Sequence, residues 1–157
     1  MNERLVVPRP RVPYSGRKFS QFSIGDCFGD DVVVRDSHLA DGARLIGDYN
    51  PLHVDVDFAE RSLFGGTILH GVITSALMSA PFGNLVAGTA IGYLEHNTRF
   101  LAPVRAGDTL RITWTVTGLA PKPARGGGIV SAECEARNQH DVLVASATGK
   151  MMVGEGS

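Results

Sequence analysis

The hydrophobic pattern changes period at Gly88, and that change restricts the folds open to this chain. Before it, residues 69–86 read LHGVITSALMSAPFGNLV, with apolar residues recurring among Ala, Ser and Gly. Such a stretch suits a helix pressed closely against a sheet, because its small side chains let backbones approach. Pro81 and Gly83 weaken the helical signal in its second half. After Gly88 the period falls to two. LRITWTVTG sets Leu110, Ile112, Trp114 and Val116 on one face and Arg111, Thr113, Thr115 and Thr117 on the other. IVSAECEARN does the same with Val130, Ala132, Cys134 and Ala136, and DVLVASATGKMMV with Leu143, Ala145, Ala147 and Met151. Alternation of this kind marks half-buried antiparallel strands. AIGYLEHNTRFL is a weaker fourth strand, and APKPARGGG reads as a loop between two of them. One helix ahead of several antiparallel strands is an α+β arrangement.

Upstream, DCFGDDVVVRD reads as a first strand and Ser37 as the cap of a helix through HLADGARLIG. Asp57 and Glu60, three apart, resemble a capping box at the start of another. Residues 1–18 set Arg4, Arg9, Arg11, Arg17 and Lys18 against Glu3 alone, with Pro8, Pro10 and Pro13 favouring extended, polyproline-like conformations. They are read as a basic, Pro-containing tail ahead of one domain over 19–157. A solvated tail is expected, with an arm lying across a subunit as the alternative.

Fifteen basic and 16 acidic residues leave a net charge of −1, so no global field recruits nucleic acid or membrane. No apolar run reaches the roughly 18 residues of a membrane span. Residues 1–18 hold no uninterrupted apolar core of a secretory signal, so a cytoplasmic location is expected. Cys27 and Cys134 are too few and too far apart for a disulfide scaffold or a zinc site, and read as small buried apolar residues.

GDYNPLHVDVDF, residues 47–58, is the chemically suggestive segment. Asp48 and His53 stand five apart with Asn50-Pro51 between them, which fits neither helical nor strand spacing. Proline pushes the residue before it out of the helical region, so one element ends here and another begins. The carboxylate and imidazole either tie down this corner or act together as acid and base. His53, Asp55 and Asp57 also invite a metal reading, but only a strand puts all three on one side, and the Asp57 cap signal opposes a strand; no metal is expected. Gly71 opens the expected central helix. It either admits a neighbouring backbone or offers an unpaired N–H to a developing oxyanion. His70 reads as a hydrogen-bonded buried histidine, and Ser75 and Ser79 as small residues of a close helix–sheet contact. ARGGGI lacks the strand-to-helix setting of a dinucleotide loop, and the flanking Lys122 and Arg125 read as solvated loop charges or as phosphate contacts.

GDYNPLHVD, then FGGTILHGV, then NTRFLAPVRAGDTL resemble the MaoC-like hydratases, the (R)-specific enoyl-CoA hydratase family, over about Ser37 to Thr117. The resemblance implies a hot-dog fold, an antiparallel sheet wrapped around one long helix, and a homodimer or a multiple of one. It implies reversible syn addition of water to a trans-2-enoyl-CoA, giving an (R)-3-hydroxyacyl-CoA, with no cofactor. Carried over residue by residue, Asp48 is the base that activates water, and His53 orients the water and supplies the α-carbon proton. Asn50 holds the loop and lines the site, the Gly71 N–H polarises the thioester carbonyl, and Ser79 bonds the aspartate. Phe64, Phe82 and Leu85 are candidate pocket walls favouring short or branched acyl groups. The competing expectations are a hot-dog acyl-CoA thioesterase and a non-catalytic acyl-CoA or acyl-carrier binding module. The completeness of the Asp/His pair argues against the latter.

Overall fold

The computed structural model describes residues 3–7, 9 and 14–156. In chain order the elements are β1 (Leu5–Val6), β2 (Cys27–Val33), α1 (Asp36–Ile46), α2 (Pro51–Val54), α3 (Val56–Arg61), α4 (Gly71–Leu85), β3 (Ala90–Phe100), β4 (Thr109–Lys122), β5 (Gly127–Arg137) and β6 (Leu143–Gly154). The strands form one sheet in the order β1-β2-β4-β5-β6-β3, antiparallel at every pairing except β1 with β2.

The alternation read from β4 places its residues as expected: Leu110, Ile112 and Trp114 are fully buried and Val116 nearly so. Val130, Ala132, Cys134 and Ala136 of β5 and Ala145, Ala147 and Met151 of β6 continue the same inner face. α4 lies against that face through Thr74, Met78, Pro81, Phe82 and Leu85. Phe28 stacks on Trp114 with ring centroids 6.5 Å apart and meets Phe82 edge-on at 5.2 Å. The Trp114 indole N–H donates to the Met78 carbonyl at 2.8 Å, so the helix is tied to the sheet at its middle. Gly149 on β6 makes room for that indole, since a Cβ there would stand 2.9 Å from Trp114 Cη2. A sheet curled around one helix in this way is the hot-dog fold.

α4 runs close to its expected length, through Pro81 to Leu85. A mid-helix proline costs about 3 kcal/mol, and here its ring is buried against the core, which offsets the lost backbone bond. β4 and β5 extend into APKPARGGG and leave a single 3-10 turn, Pro123–Arg125, rather than a nine-residue loop. α1 starts at Asp36, one residue before the expected Ser37 cap. Its first turn is closed by His38 Nδ1, which accepts the Arg35 N–H at 2.8 Å. α3 is capped by Asp55, which accepts from the Phe58 N–H at 2.9 Å, so Asp57 lies inside the first turn.

Part of the basic N-terminal segment joins the sheet. Leu5–Val6 pairs in parallel with Phe28–Gly29, Val7 is buried, and the Arg4 guanidinium reaches Asp31 at 2.9 Å and the Ile112 carbonyl at 2.9 Å. Arg17 pairs with Asp26 at 3.0 Å, and its backbone N–H donates to the Leu85 carbonyl. Pro8, Pro10, Arg11 and Pro13 lie outside the described residues, and the polyproline-like expectation with them.

Candidate active site

The corner at residues 47–50 is built by side chains standing in for backbone hydrogen bonds. Gly47, at φ 74°, ends α1 in the left-handed conformation and donates to the Ala43 carbonyl. Asp48 Oδ1 accepts the Asn50 N–H at 3.0 Å, and Asn50 Oδ1 accepts the Leu52 N–H at 3.1 Å. Pro51 then occupies the first helical position of α2, where its missing N–H has no partner to lose. Asp48 therefore ties the turn with one carboxylate oxygen, and the other accepts no hydrogen bond among the described residues. That second oxygen, Oδ2, stands 3.9 Å from His53 Nε2. The gap is too long for a direct hydrogen bond and short enough for one water molecule to touch both atoms.

The ring of His53 is oriented from behind. Its Nδ1 lies 2.7 Å from the Ile68 carbonyl, and since a carbonyl only accepts, Nδ1 carries the proton. Nε2 is the nitrogen turned to Asp48. The His53 side chain is 12% exposed and that of Asp48 48%, so the imidazole is enclosed while the carboxylate meets solvent. His53 lines a cavity of about 350 Å³ whose other walls include Phe64, Leu69, Gly71, Thr74, Phe100 and Val104. Gly71 is the first residue of α4, so its backbone N–H belongs to the unpaired set at a helix start. The site thus brings together a carboxylate, an imidazole, a free backbone donor and an apolar-walled cavity.

Other expected members are elsewhere. Ser79 Oγ donates to the Ala76 carbonyl of its own helix at 2.8 Å and does not reach Asp48. It lies eight residues beyond Gly71, two turns along α4, while the Asp48 corner packs at the helix start. Asn50 holds the loop but is not among the cavity walls. Of the three proposed wall residues only Phe64 lines the cavity. Phe82 sits in the core against Phe28 and Trp114, and Leu85 lies at the far end of α4. Phe64 is fixed in place by Arg105, whose guanidinium donates to its carbonyl.

His70 is the hydrogen-bonded buried histidine that was expected, and its partners place it at this site. It is 1% exposed, its Nε2 lies 2.9 Å from the Asp48 carbonyl, and its ring stacks on His53 at a centroid distance of 3.8 Å. No spacing signal links His70 to Asp48, 22 positions away. Among the described residues, Asp48, His53 and His70 form the one group with metal-like spacing, their donor atoms lying within 4.8 Å of one another. It differs from the His53, Asp55 and Asp57 set, since Asp55 is held as a helix cap. His53 Nδ1 and His70 Nε2 already face carbonyls, which leaves two facing donors where a catalytic zinc takes three protein ligands.

The sheet curled around α4 puts the chain among the hot-dog proteins, and its likeness to known sequences narrows that class further. Residues 29–136 match the model of the MaoC like domain, and the chain belongs to the MaoC-like hydratase/dehydratase family. It is 36% identical over 120 residues to a 3-hydroxybutyryl-CoA dehydratase of Methylorubrum extorquens, covering 76% of this chain and 74% of that one. It is 41% identical over 80 residues to an (R)-specific enoyl-CoA hydratase of Rhodospirillum rubrum, covering 51% of this chain and 56% of that relative's length. Among solved structures, the R-hydratase PhaJ1 of Pseudomonas aeruginosa superposes with a TM-score of 0.79 at 27% identity, covering 88% of this chain and 86% of that one. No helix among the described residues is long and apolar enough to cross a membrane.

Proposed function

We propose that the protein catalyses reversible syn hydration of a trans-2-enoyl-CoA to an (R)-3-hydroxyacyl-CoA. The observation that carries this reading is the facing of Asp48 Oδ2 and His53 Nε2 at 3.9 Å beside the cavity that Gly71 also lines. A thioester withdraws electron density and leaves the β-carbon open to attack, so the reaction needs one base, one acid and one oxyanion donor. Asp48 takes a proton from a water held between the two side chains as its oxygen adds to the β-carbon. His53, already protonated at Nδ1 toward Ile68, delivers a proton from Nε2 to the α-carbon and therefore enters hydration as the imidazolium. A proton passed from Asp48 back to His53 restores both groups, and the net change is addition of one water. The Gly71 N–H holds the enolate oxygen between the two events. The (R) sense and the CoA handle follow the named activities of the relatives. Phe64, held by Arg105, limits the acyl cavity and favours short or branched groups.

The working unit is proposed to be a homodimer or a multiple of one. Among the described residues β3 ends the sheet with an unpaired edge carrying exposed Ile91, Leu94 and Phe100, and α4 turns a small apolar face with exposed Val72 outward. An apolar edge of that length calls for cover.

The test is a panel of enoyl-CoA thioesters followed by loss of enoyl absorbance, product chirality and free-thiol release. Hydration to the (R) product without thiol release is expected. Asp48→Asn and His53→Gln should each lower it by about two orders of magnitude or more with the fold retained. Thiol release without hydration assigns a thioesterase instead, and near-wild-type turnover by either folded variant removes the pair from the mechanism.

A further inference from the structure

We propose that His70 is a positioning residue that sets the distance between the two members of the Asp48–His53 pair. The inference rests on the catalytic reading of that pair and adds a group to it. His70 is the one side chain, among the described residues, shown touching both: its Nε2 meets the Asp48 main-chain carbonyl at 2.9 Å, and its ring lies on His53 at 3.8 Å with the planes 27° apart. A carbonyl only accepts, so Nε2 is the protonated nitrogen. The other nitrogen, Nδ1, is buried with no hydrogen-bond partner among the described residues. It faces α1 at Gly42, where a Cβ would stand 3.4 Å from it. A proton there would be an unsatisfied buried donor, so the enclosure selects the Nε2–H tautomer and keeps the donor aimed at Asp48.

The geometry explains why a polar side chain occupies the core at the entrance of α4. Asp48 follows a left-handed glycine, and within the turn its half-exposed carboxylate is held through Oδ1 alone, by the Asn50 N–H. The bond from His70 anchors the Asp48 backbone to the residue that precedes α4. His53 is held from one edge by Ile68 and on one face by the His70 ring. The 3.9 Å gap that admits one water is therefore fixed by a residue that touches neither the water nor the thioester.

Two variants separate this role from simple core filling. In His70→Gln the side-chain amide reaches about as far as Nε2 and keeps a donor for Asp48, while His70→Phe keeps a ring and removes the donor. Misplacing a reacting group by about 1 Å can cost on the order of a hundredfold. His70→Phe is accordingly expected to lower kcat at least about thirtyfold with KM within about threefold, and His70→Gln to retain kcat within about fivefold. A core-filling residue predicts the reverse order, with the apolar variant the more active. His70→Phe matching wild-type kcat, or both variants falling equally, overturns the proposal. Imidazole and amide NMR of the unliganded protein gives a readout independent of turnover, so a wild-type protein without hydratase activity sinks the catalytic reading and still leaves His70 testable. The expected result is a proton on His70 Nε2, with the Asn50 amide, bonded to Asp48 Oδ1, displaced in His70→Phe and close to wild type in His70→Gln. A wild-type His70 protonated on Nδ1 overturns the proposal even where a variant does not fold.

Discussion

The strongest single perturbation is at Gly71, because two substitutions there separate the backbone N–H from the space it occupies. Gly71 is the first helical residue of α4, its φ is not in the left-handed region, and its N–H has no acceptor among the described residues. His70 before it is extended at ψ 133°, which is the conformation a following proline demands. The backbone therefore accepts proline at this position, the first helical one, where it is best tolerated. Both alanine and proline add a Cβ, which would stand 3.1 Å from Cε2 and Cζ of Phe100. Phe100 is half exposed, so its ring can yield by a few tenths of an ångström. Because Phe100 and Gly71 both line the cavity, that adjustment falls on substrate fit. Gly71→Ala should raise KM and keep kcat within about tenfold, since it retains the donor. Gly71→Pro shares the Cβ contact, adds the other ring carbons and deletes the N–H, a loss that typically costs about a hundred- to a thousandfold in kcat, or about 3–4 kcal/mol of transition-state stabilisation. The ratio of the two kcat values on one enoyl-CoA is the measurement, with circular dichroism establishing that each variant is folded. Equal kcat for folded proline and alanine variants would refute the oxyanion role and leave packing as the reason for glycine.

Trp114→Phe should destabilise the fold by about 2–4 kcal/mol in urea unfolding, because it empties core volume and removes the indole bond to the Met78 carbonyl; a loss below about 0.5 kcal/mol contradicts the tie between α4 and the sheet. Burial holds the His96 imidazole below its usual value of 6.5, so the unfolded chain binds that proton first and stability falls as pH drops below that value. Thermal melts near pH 7.5 and near pH 5 should show a smaller acid loss in His96→Gln than in wild type, and equal losses in both would exclude His96 as a source. Burial likewise pushes its partner Tyr93 up to about 12, so the Tyr93–His96 bond at 2.6 Å joins two uncharged groups across the neutral range. Light scattering should give at least twice the 16.7 kDa chain mass, and a fully active monomer at micromolar concentration would remove the dimer.

Much of the architecture is local and was therefore legible in the chain. The period-two pattern of β4, β5 and β6 determines which face of each strand is buried, because successive side chains alternate whatever the strand packs against. The corner at Asp48 is equally local: the glycine, aspartate and asparagine each close a hydrogen bond within four residues, proline opens the next helix, and no distant element is needed to form the turn. Other features depend on how elements dock. The bond from His70 to Asp48 joins residues 22 apart through the approach of the α4 start to the end of α1. The same docking leaves Ser79 bonded to its own helix and Phe82 in the core, and it puts Leu5–Val6 on the sheet edge beside β2. Periodicity ranks the faces of one element, while the partner of each face is settled by long-range contacts whose free energy accrues only when the whole core closes. The sequence by itself therefore determined the strands, the central helix and the corner that carries Asp48 and His53. Only the tertiary structure decided which buried histidine reaches that corner and how large a cavity opens beside it.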